Sequence, residues 1–177
     1  MSHRLVLVAV VIVGLVAALT ARGVLAQDPP PADATPGAYG TSAVPLGAID
    51  PAAAPGYRLQ VVELTWEPGA YATRHFHPTA LITCVQEGSL GFLLQHGSAS
   101  VTRGGTADAP GEPTPITLDE EIVLEPRDCI TFDEFTDHME HTGWNAGTGN
   151  LVLWEARLVD PEQPFTTYVN TMGTPVP

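Results

Sequence analysis

Short apolar segments that alternate with turn residues narrow the possible folds of this chain more than anything else in it. They recur from Tyr57 to Val159, and glycine or proline interrupts them every several residues, as at Pro68-Gly69 and Gly104-Gly105. The chain holds 17 Gly and 17 Pro among 177 residues, which is typical of many turns and little long helix. Closely spaced short strands favour a β-sandwich or β-barrel. We therefore predict an all-β fold with no helix in this region.

The first predicted strands flank a pair of histidines. Leu59 to Trp66 has the pattern of a strand, Glu67-Pro68-Gly69 predicts a turn, and Tyr71 to His77 predicts the next strand. The later segments predicted to form strands are 81–86, 90–94, 116–118, 122–124, 129–132, 139–145 and 151–159.

The N-terminal residues 1–26 have the pattern of an export signal. Arg4 gives a positive start, Leu5 to Leu19 is an apolar run, and the segment ends at Ala26 with residues suited to a signal peptidase. The run is shorter than the roughly 20 apolar residues of a membrane span. The sequence predicts an exported protein, secreted or held in the cell envelope, with cleavage after Ala26. An uncleaved anchor is the alternative, and only retention of this segment would make the membrane a partner.

The remaining chain divides into three predicted regions. Residues 27–56 are rich in Pro, Ala, Gly and Asp, a composition that predicts an extended linker or an irregular arm. Residues 57–160 form the predicted barrel, a single modest domain with its own core. Residues 161–177 are predicted to be an irregular C-terminal tail.

The charge balance argues against one class of partner. The chain has 20 acidic residues against 7 basic ones, all arginine, and a formal net charge of −13. Contacts to phosphates require clustered basic side chains. We therefore expect no nucleic-acid partner.

The two cysteines, Cys84 and Cys129, have a separation that fits no zinc-finger pattern. In an exported protein they would be able to form one disulfide. The alternative is a pair of small buried residues, and spacing alone does not decide between the two.

Three histidines are the candidate site. His75 and His77 are two apart in a predicted strand, so both side chains point to the same face. His141 lies far downstream, followed four residues later by Asn145. Taken alone, an H-x-H pair also describes two exposed histidines on a strand.

The wider spacing resembles the two motifs of the cupin superfamily. The first family motif, G-x5-H-x-H-x3,4-E-x6-G, is matched by Gly69, His75, His77 and Gly88, and the second ends in H-x3-N, as do His141 and Asn145. The resemblance spans about 57–159. Two departures stand out, because Leu81 occupies the position of the family's glutamate ligand and the P-x-G of the second motif is absent.

The resemblance implies a single cupin-type jelly-roll β-barrel in which His75, His77 and His141 ligate a metal. Neutral imidazole suits divalent iron, manganese, zinc, copper or nickel, and the resemblance does not select among them. Three protein ligands leave positions open for water or a small-molecule substrate. A set of three histidines without a carboxylate resembles the thiol-dioxygenase branch of the superfamily. By resemblance only, a homodimer is also expected.

Several other side chains have less specific expected roles. We interpret His138 as a loop residue and as the first candidate for a fourth ligand or a proton shuttle. His96 is expected to be exposed, and Glu140 is expected to face away from His141. Tyr71 is expected on the same face as His75, where it would be a packed wall residue or, alternatively, an acid donor. Asn145 is expected to fix a turn. The tryptophans are expected to pack in the core or on the sheet, namely Trp66, Trp144 and Trp154.

Three functions remain open on the sequence. The first is an exported metal-dependent oxidoreductase, dioxygenase-like, acting on a small molecule. The second is a non-catalytic module that binds a metal or a small ligand, and the third is a structural barrel with a vestigial site. The fold alone does not choose among them, and the sequence identifies no catalytic acid or base.

Overall fold

A computed structural model describes residues 26–106, 109 and 111–176. The predicted export signal lies outside the described residues except for Ala26. Eleven strands follow one another, with these bounds: β1 Ala38–Ile49, β2 Arg58–Phe76, β3 Thr79–Glu87, β4 Leu90–His96, β5 Ser100–Thr102, β6 Pro113–Pro115, β7 Glu121–Leu124, β8 Cys129–Asp133, β9 Glu140–Asn145, β10 Leu151–Val159 and β11 Thr167–Tyr168.

The strands pair antiparallel in one curled sheet. Its order is β6-β5-β8-β3-β10-β2-β9-β4-β7, with β1 and β11 added along β2. The described residues contain no helix, and so none long and apolar enough to cross a membrane. The predicted all-β fold is confirmed.

Strand β2 joins the two halves of the sheet. Its first half pairs with β10 as far as Trp66, and its second half pairs with β9 from Tyr71 onward. The predicted turn at Glu67-Pro68-Gly69 is wrong, because β2 continues through these residues. Gly69 has a φ of 79°, a conformation that costs glycine little. The segment therefore bends a continuous strand at the point where its partner changes.

Strand β1 differs from the linker expected over 27–56. Ala38–Ile49 pairs with β2 from Leu59 to Ala72. The physical reason is that the edge of β2 opposite β10 has backbone N–H and C=O groups that need hydrogen-bond partners. A strand can supply these partners from its own backbone, whatever side chains it carries. Register shifts beside Gly40 and around Pro45 accommodate the irregular sequence.

The C-terminal region also departs from the expected irregular tail. Thr167 and Tyr168 form β11 and pair with Phe76 and His75 of β2. The tail therefore returns to the strand that carries the first two candidate ligands.

The core fills the concave side of the curled sheet. Cys84 and Cys129, of which the sequence left the state open, form a disulfide between directly opposed positions of β3 and β8. Trp66 is buried in the core, as expected, whereas Trp154 is 47% exposed on the outer face. The most deeply buried large side chains are Leu94, Leu124, Ile130, Met139 and Leu151.

Candidate metal centre

The fold brings the three predicted histidines together. His75 and His77 lie at the C-terminal end of β2, and His141 lies on β9 directly opposite His75. All three are buried, with exposures of 5%, 6% and 7% respectively. One nitrogen from each imidazole lies within 4.8 Å of the others. Antiparallel pairing thus converts residues 66 positions apart into neighbours.

Backbone carbonyls fix the protonation pattern of the first two imidazoles. Nδ1 of His75 lies 2.6 Å from the Thr73 carbonyl oxygen, and Nδ1 of His77 lies 3.0 Å from that of Phe165. A carbonyl only accepts, so each Nδ1 must carry the proton. The Nε2 atoms of His75 and His77, which are then bare lone pairs, face each other at 3.1 Å.

Burial keeps the three imidazoles neutral at physiological pH. It lowers the pKa of His75 to about 4, and the hydrogen bond to Thr73 offsets only part of that effect. Burial also lowers the pKa of His77 and of His141 well below the ordinary value, and the neighbouring histidines lower both further. Neutral imidazole is the form that binds a metal.

These features fit a metal ion. Two unprotonated acceptor nitrogens 3.1 Å apart repel one another unless a cation lies between them. A proton could be that cation only at a pH near the lowered pKa of His75, about 4. His141 adds a buried Nδ1 that has no hydrogen-bond partner among the described residues. Imidazole nitrogens bind transition metals at about 2.0–2.1 Å, so a nitrogen pair 3.1 Å apart can share one ion.

The residues that share the pocket face differ from the expected set. His75 and His77 line the cavity with Ala72, whereas Tyr71 and Thr73 do not. The register of β2 against β9 shifts between Ala72 and His75, so the alternation of faces changes phase there. The prediction that Tyr71 lies on the face of His75 is therefore wrong, and Tyr71 packs instead on Tyr39, with ring centroids 4.9 Å apart.

The remaining histidines lie elsewhere. His138 is half exposed and approaches two carboxylates, Glu134 at 3.5 Å and Glu140 at 3.1 Å, and it is not part of the histidine cluster. Glu140 also pairs with Arg74, so it does not replace the missing carboxylate ligand. His96 is exposed, as expected. The structure therefore adds no fourth ligand from this group.

Two motif positions behave as their chemistry requires. Leu81 is buried in the cavity wall and supplies no ligand. The Asn145 amide faces the carbonyl oxygens of Trp66 and Gly149 and accepts from Gly147 N, so its role in fixing the turn is confirmed.

Sequence reasoning missed four residues around the centre. Glu134 accepts the backbone N–H of His77 at 2.8 Å, and burial raises the pKa of its carboxyl to about 7. Phe165 stacks on His77 with ring centroids 4.4 Å apart. Glu155 and Arg157 line the same cavity from β10. The inward alternation of a charged pair within an apolar strand, Leu153-Trp-Glu155-Ala-Arg157, was the available signal.

The cavity beside the histidines has a volume of about 360 Å³. Its walls are mainly apolar, and β1 contributes one side of it through Ala38, Thr41 and Ala43. A largely preformed apolar cavity with a few convergent polar groups is the usual form of a small-molecule site. Fold and site together define an all-β protein with a buried three-histidine centre.

Solved structures that are similar in fold include cupins. A cupin 2 domain-containing protein from Halorhodospira halophila aligns with 16% identity and a TM-score of 0.43, over 74% of this chain and 70% of that one. A structure of DMSP lyases aligns with 16% identity and a TM-score of 0.42, over 63% and 44%. An oxalate decarboxylase from Lactobacillus farciminis aligns with 12% identity and a TM-score of 0.41, over 63% and 26%. The chain thus spans less than half of the last two proteins.

No protein-family model matches the chain, and no curated protein matches it. The spacing of His75, His77 and His141 resembles the cupin motifs, and a cupin 2 domain-containing protein is among the similar solved structures. At these identities the likeness concerns the fold alone, and the chemistry must be argued from the residues of the site.

Proposed function

We propose that this chain binds one divalent transition metal ion through His75, His77 and His141 and acts as a metal-dependent oxidoreductase, of oxygenase type, on a small molecule. One observation carries the proposal: two Nε2 atoms face each other at 3.1 Å in a buried site, and the carbonyls that contact their Nδ1 atoms leave both Nε2 atoms as acceptors. That arrangement is stable when a cation is shared between them and costly otherwise.

The residues of the chain would prepare the site in three ways. The Thr73 and Phe165 carbonyls hold the His75 and His77 rings in the ligating tautomer. The mainly apolar wall would favour an apolar ligand over water beside the histidines. A bound transition metal supplies Lewis acidity and open coordination positions.

Export is part of the proposal. The Cys84–Cys129 disulfide supports it, because disulfides persist mainly in oxidising compartments. The apolar N-terminal run of the sequence is the second support.

A non-catalytic metal-binding module is the second candidate. The buried Leu81 favours it, since a leucine stands where the resembled motif has a carboxylate ligand. Oxygen consumption separates the candidates: a metal-loaded protein that consumes no oxygen with a panel of thiols, phenols and small acids supports the module.

Metal analysis tests the site itself. The purified protein should carry about one equivalent of a transition metal after metal-replete expression. The double variant His75→Ala/His77→Ala should lose it, because a single imidazole remains. His96→Ala is the matched control, since His96 is an exposed histidine outside the cluster. Absence of metal from the unmodified protein, or equal metal content in all three proteins, would contradict the proposal.

A further inference from the structure

The cavity beside the histidines has a second polar region that the metal site does not use. Glu155 and Arg157 point inward from β10 and line the same cavity as the three histidines. The Glu155 side chain is 8% exposed and the Arg157 side chain 15%. A buried arginine is costly unless its charge has a partner, so its presence in an apolar cavity calls for a function.

The guanidinium of Arg157 is held in place but not saturated. Nε donates to Gln60 Oε1 at 3.2 Å, and the group lies 3.8 Å above the Phe165 ring. Its contact with the Glu155 carboxylate, at 3.5 Å from Nη1 to Oε2, is at the long limit of a hydrogen bond. A guanidinium has five N–H donors, so donors remain for a ligand within the cavity.

Glu155 is a weak partner for that cation. It accepts a hydrogen bond from Thr83 Oγ1 at 3.2 Å, which turns one oxygen away from Arg157. Burial raises the pKa of its carboxyl, and Arg157 and Thr83 counteract that only in part. Arg157 and Glu155 therefore meet through one long contact, and the guanidinium keeps N–H donors that neither Glu155 nor Gln60 uses.

We infer that Arg157, with Glu155 beside it, forms a subsite for a single carboxylate group of a small ligand with an apolar body. The inference rests on the proposed function in taking this cavity as the ligand site. Arginine binds carboxylates through two parallel N–H···O bonds. The apolar body of the ligand would contact walls such as Phe92, Phe132 and Leu153.

The charge of the ligand follows from the cavity. Arg157 is the single cationic side chain among the residues that line the cavity, so a doubly charged phosphate would leave more unbalanced charge in these mainly apolar walls than a carboxylate would. The net charge of the chain, −13, disfavours anions at long range. Selective binding of an anion would therefore have to come from Arg157 itself.

Benzoate and benzamide form the matched probe pair, since they share shape and differ in charge. Both are titrated by calorimetry into the purified protein, once after chelator treatment and once loaded with zinc. In the metal-free protein benzoate should bind at least about 10-fold more tightly than benzamide, as charge-assisted hydrogen bonds predict. Phenyl phosphate should bind more weakly than benzoate.

Two variants assign the effect to residues. Arg157→Gln should abolish the preference for benzoate over benzamide, and Arg157→Lys should retain part of it. Glu155→Gln removes the competing carboxylate and keeps the size of the side chain, so benzoate affinity should stay the same or rise. Thermal unfolding of each variant checks that the fold is intact.

The outcomes separate this inference from the metal proposal. A benzoate preference that depends on Arg157 in metal-free protein supports the subsite even if the protein binds no metal. Equal affinity for benzoate and benzamide, unchanged benzoate binding in Arg157→Gln, or tighter binding of phenyl phosphate overturns it. If Arg157→Gln does not fold, the unmodified protein and Glu155→Gln still decide the question.

Discussion

At the residue scale, the second nitrogen of each histidine determines what the first can do. In His75 and His77, Nδ1 donates a hydrogen bond to a backbone carbonyl, so Nε2 is available as a metal ligand. In His138, Nε2 hydrogen-bonds Glu140 at 3.1 Å, Nδ1 lies 3.5 Å from Glu134, and the side chain is half exposed. Residues of the same type therefore differ in function because of hydrogen bonds that no sequence motif records.

A buried carboxylate outside the site should make stability depend on pH. Asp128 accepts hydrogen bonds from Arg103 at 2.7 Å, from Gly104 N at 2.7 Å and from Glu125 N at 3.1 Å. Burial acts to raise the pKa of Asp128, but these hydrogen bonds outweigh it, so the folded pKa lies below the ordinary 3.8. Asp128→Asn should lower the free energy of unfolding at pH 7 by about 1–3 kcal/mol, measured by urea denaturation.

The sign of the pH effect follows from the lowered pKa. As pH falls, the unfolded chain takes up the proton first, so the contribution of Asp128 is present above the unfolded pKa and is lost as pH falls through the folded value. The difference between wild type and Asp128→Asn should therefore shrink at acid pH. Asp50→Asn is the control, because Asp50 is exposed and forms a surface ion pair with Arg58, a kind of pair that contributes little to stability; a similar loss in that variant would contradict the argument.

The histidine site could be predicted at this scale, while its surroundings could not. The relative orientation of His75 and His77 follows from their spacing alone, because side chains two residues apart in a strand share a face. Arg157 and Glu155 lie about 80 residues further along the chain, and only the pairing of β10 with β2 and β3 places them beside the histidines. Local patterns carry no information about which strands become neighbours.

At the element scale, β2 explains both the success and the failure of the predicted strands. The alternating apolar pattern identified its two halves correctly. The turn expected at Glu67-Pro68-Gly69 was wrong, because proline and glycine are tolerated in a strand at a bend where its pairing changes. The extra residue between Ala72 and His75 likewise has no sequence signature, and it moved Tyr71 away from the site.

Strand β11 should be required for tight metal binding. Its pairing with His75 and Phe76 places the Phe165 carbonyl on His77 Nδ1. Deletion of residues 161–177 removes that acceptor, so the His77 ring loses its orientation. Metal affinity, measured by competition with a chromophoric chelator, should fall by about 10–100-fold, the usual effect of losing such a partner.

A shorter deletion provides the control for this prediction. Removal of residues 174–177 keeps Phe165 and both residues of β11 in the chain. Its metal affinity should stay close to that of wild type, and circular dichroism should show β-structure in both variants. Equal affinity in the two deletions would show that the tail does not orient His77.

At the scale of the whole molecule, the predicted all-β architecture is confirmed, but its edges were not foreseen. Composition and turn spacing between residues 57 and 160 were enough to exclude long helices. Strand β1 escaped prediction because its residues contribute mainly backbone pairing and are almost all exposed. A segment rich in small residues and proline is predicted to be a linker. Its pairing becomes evident only when the unpaired edge of β2, opposite β10, is known, and that edge exists only in the folded sheet.

The disulfide should stabilise the molecule without contributing to the metal site. Cys84 and Cys129 join β3 to β8 across a sequence separation of 45, and their positions alternate with inward-facing Thr83 and Ile130. Closing a loop of this length constrains the unfolded chain, so Cys84→Ala/Cys129→Ala should lower the free energy of unfolding by about 2–4 kcal/mol. Urea denaturation measures the loss, and the single variant Cys84→Ala should match the double variant under reducing conditions.

The metal content of the double variant should stay unchanged, because the histidines lie on the opposite face of the sheet from the disulfide. Loss of metal in a folded double variant would show that the disulfide and the metal site are coupled.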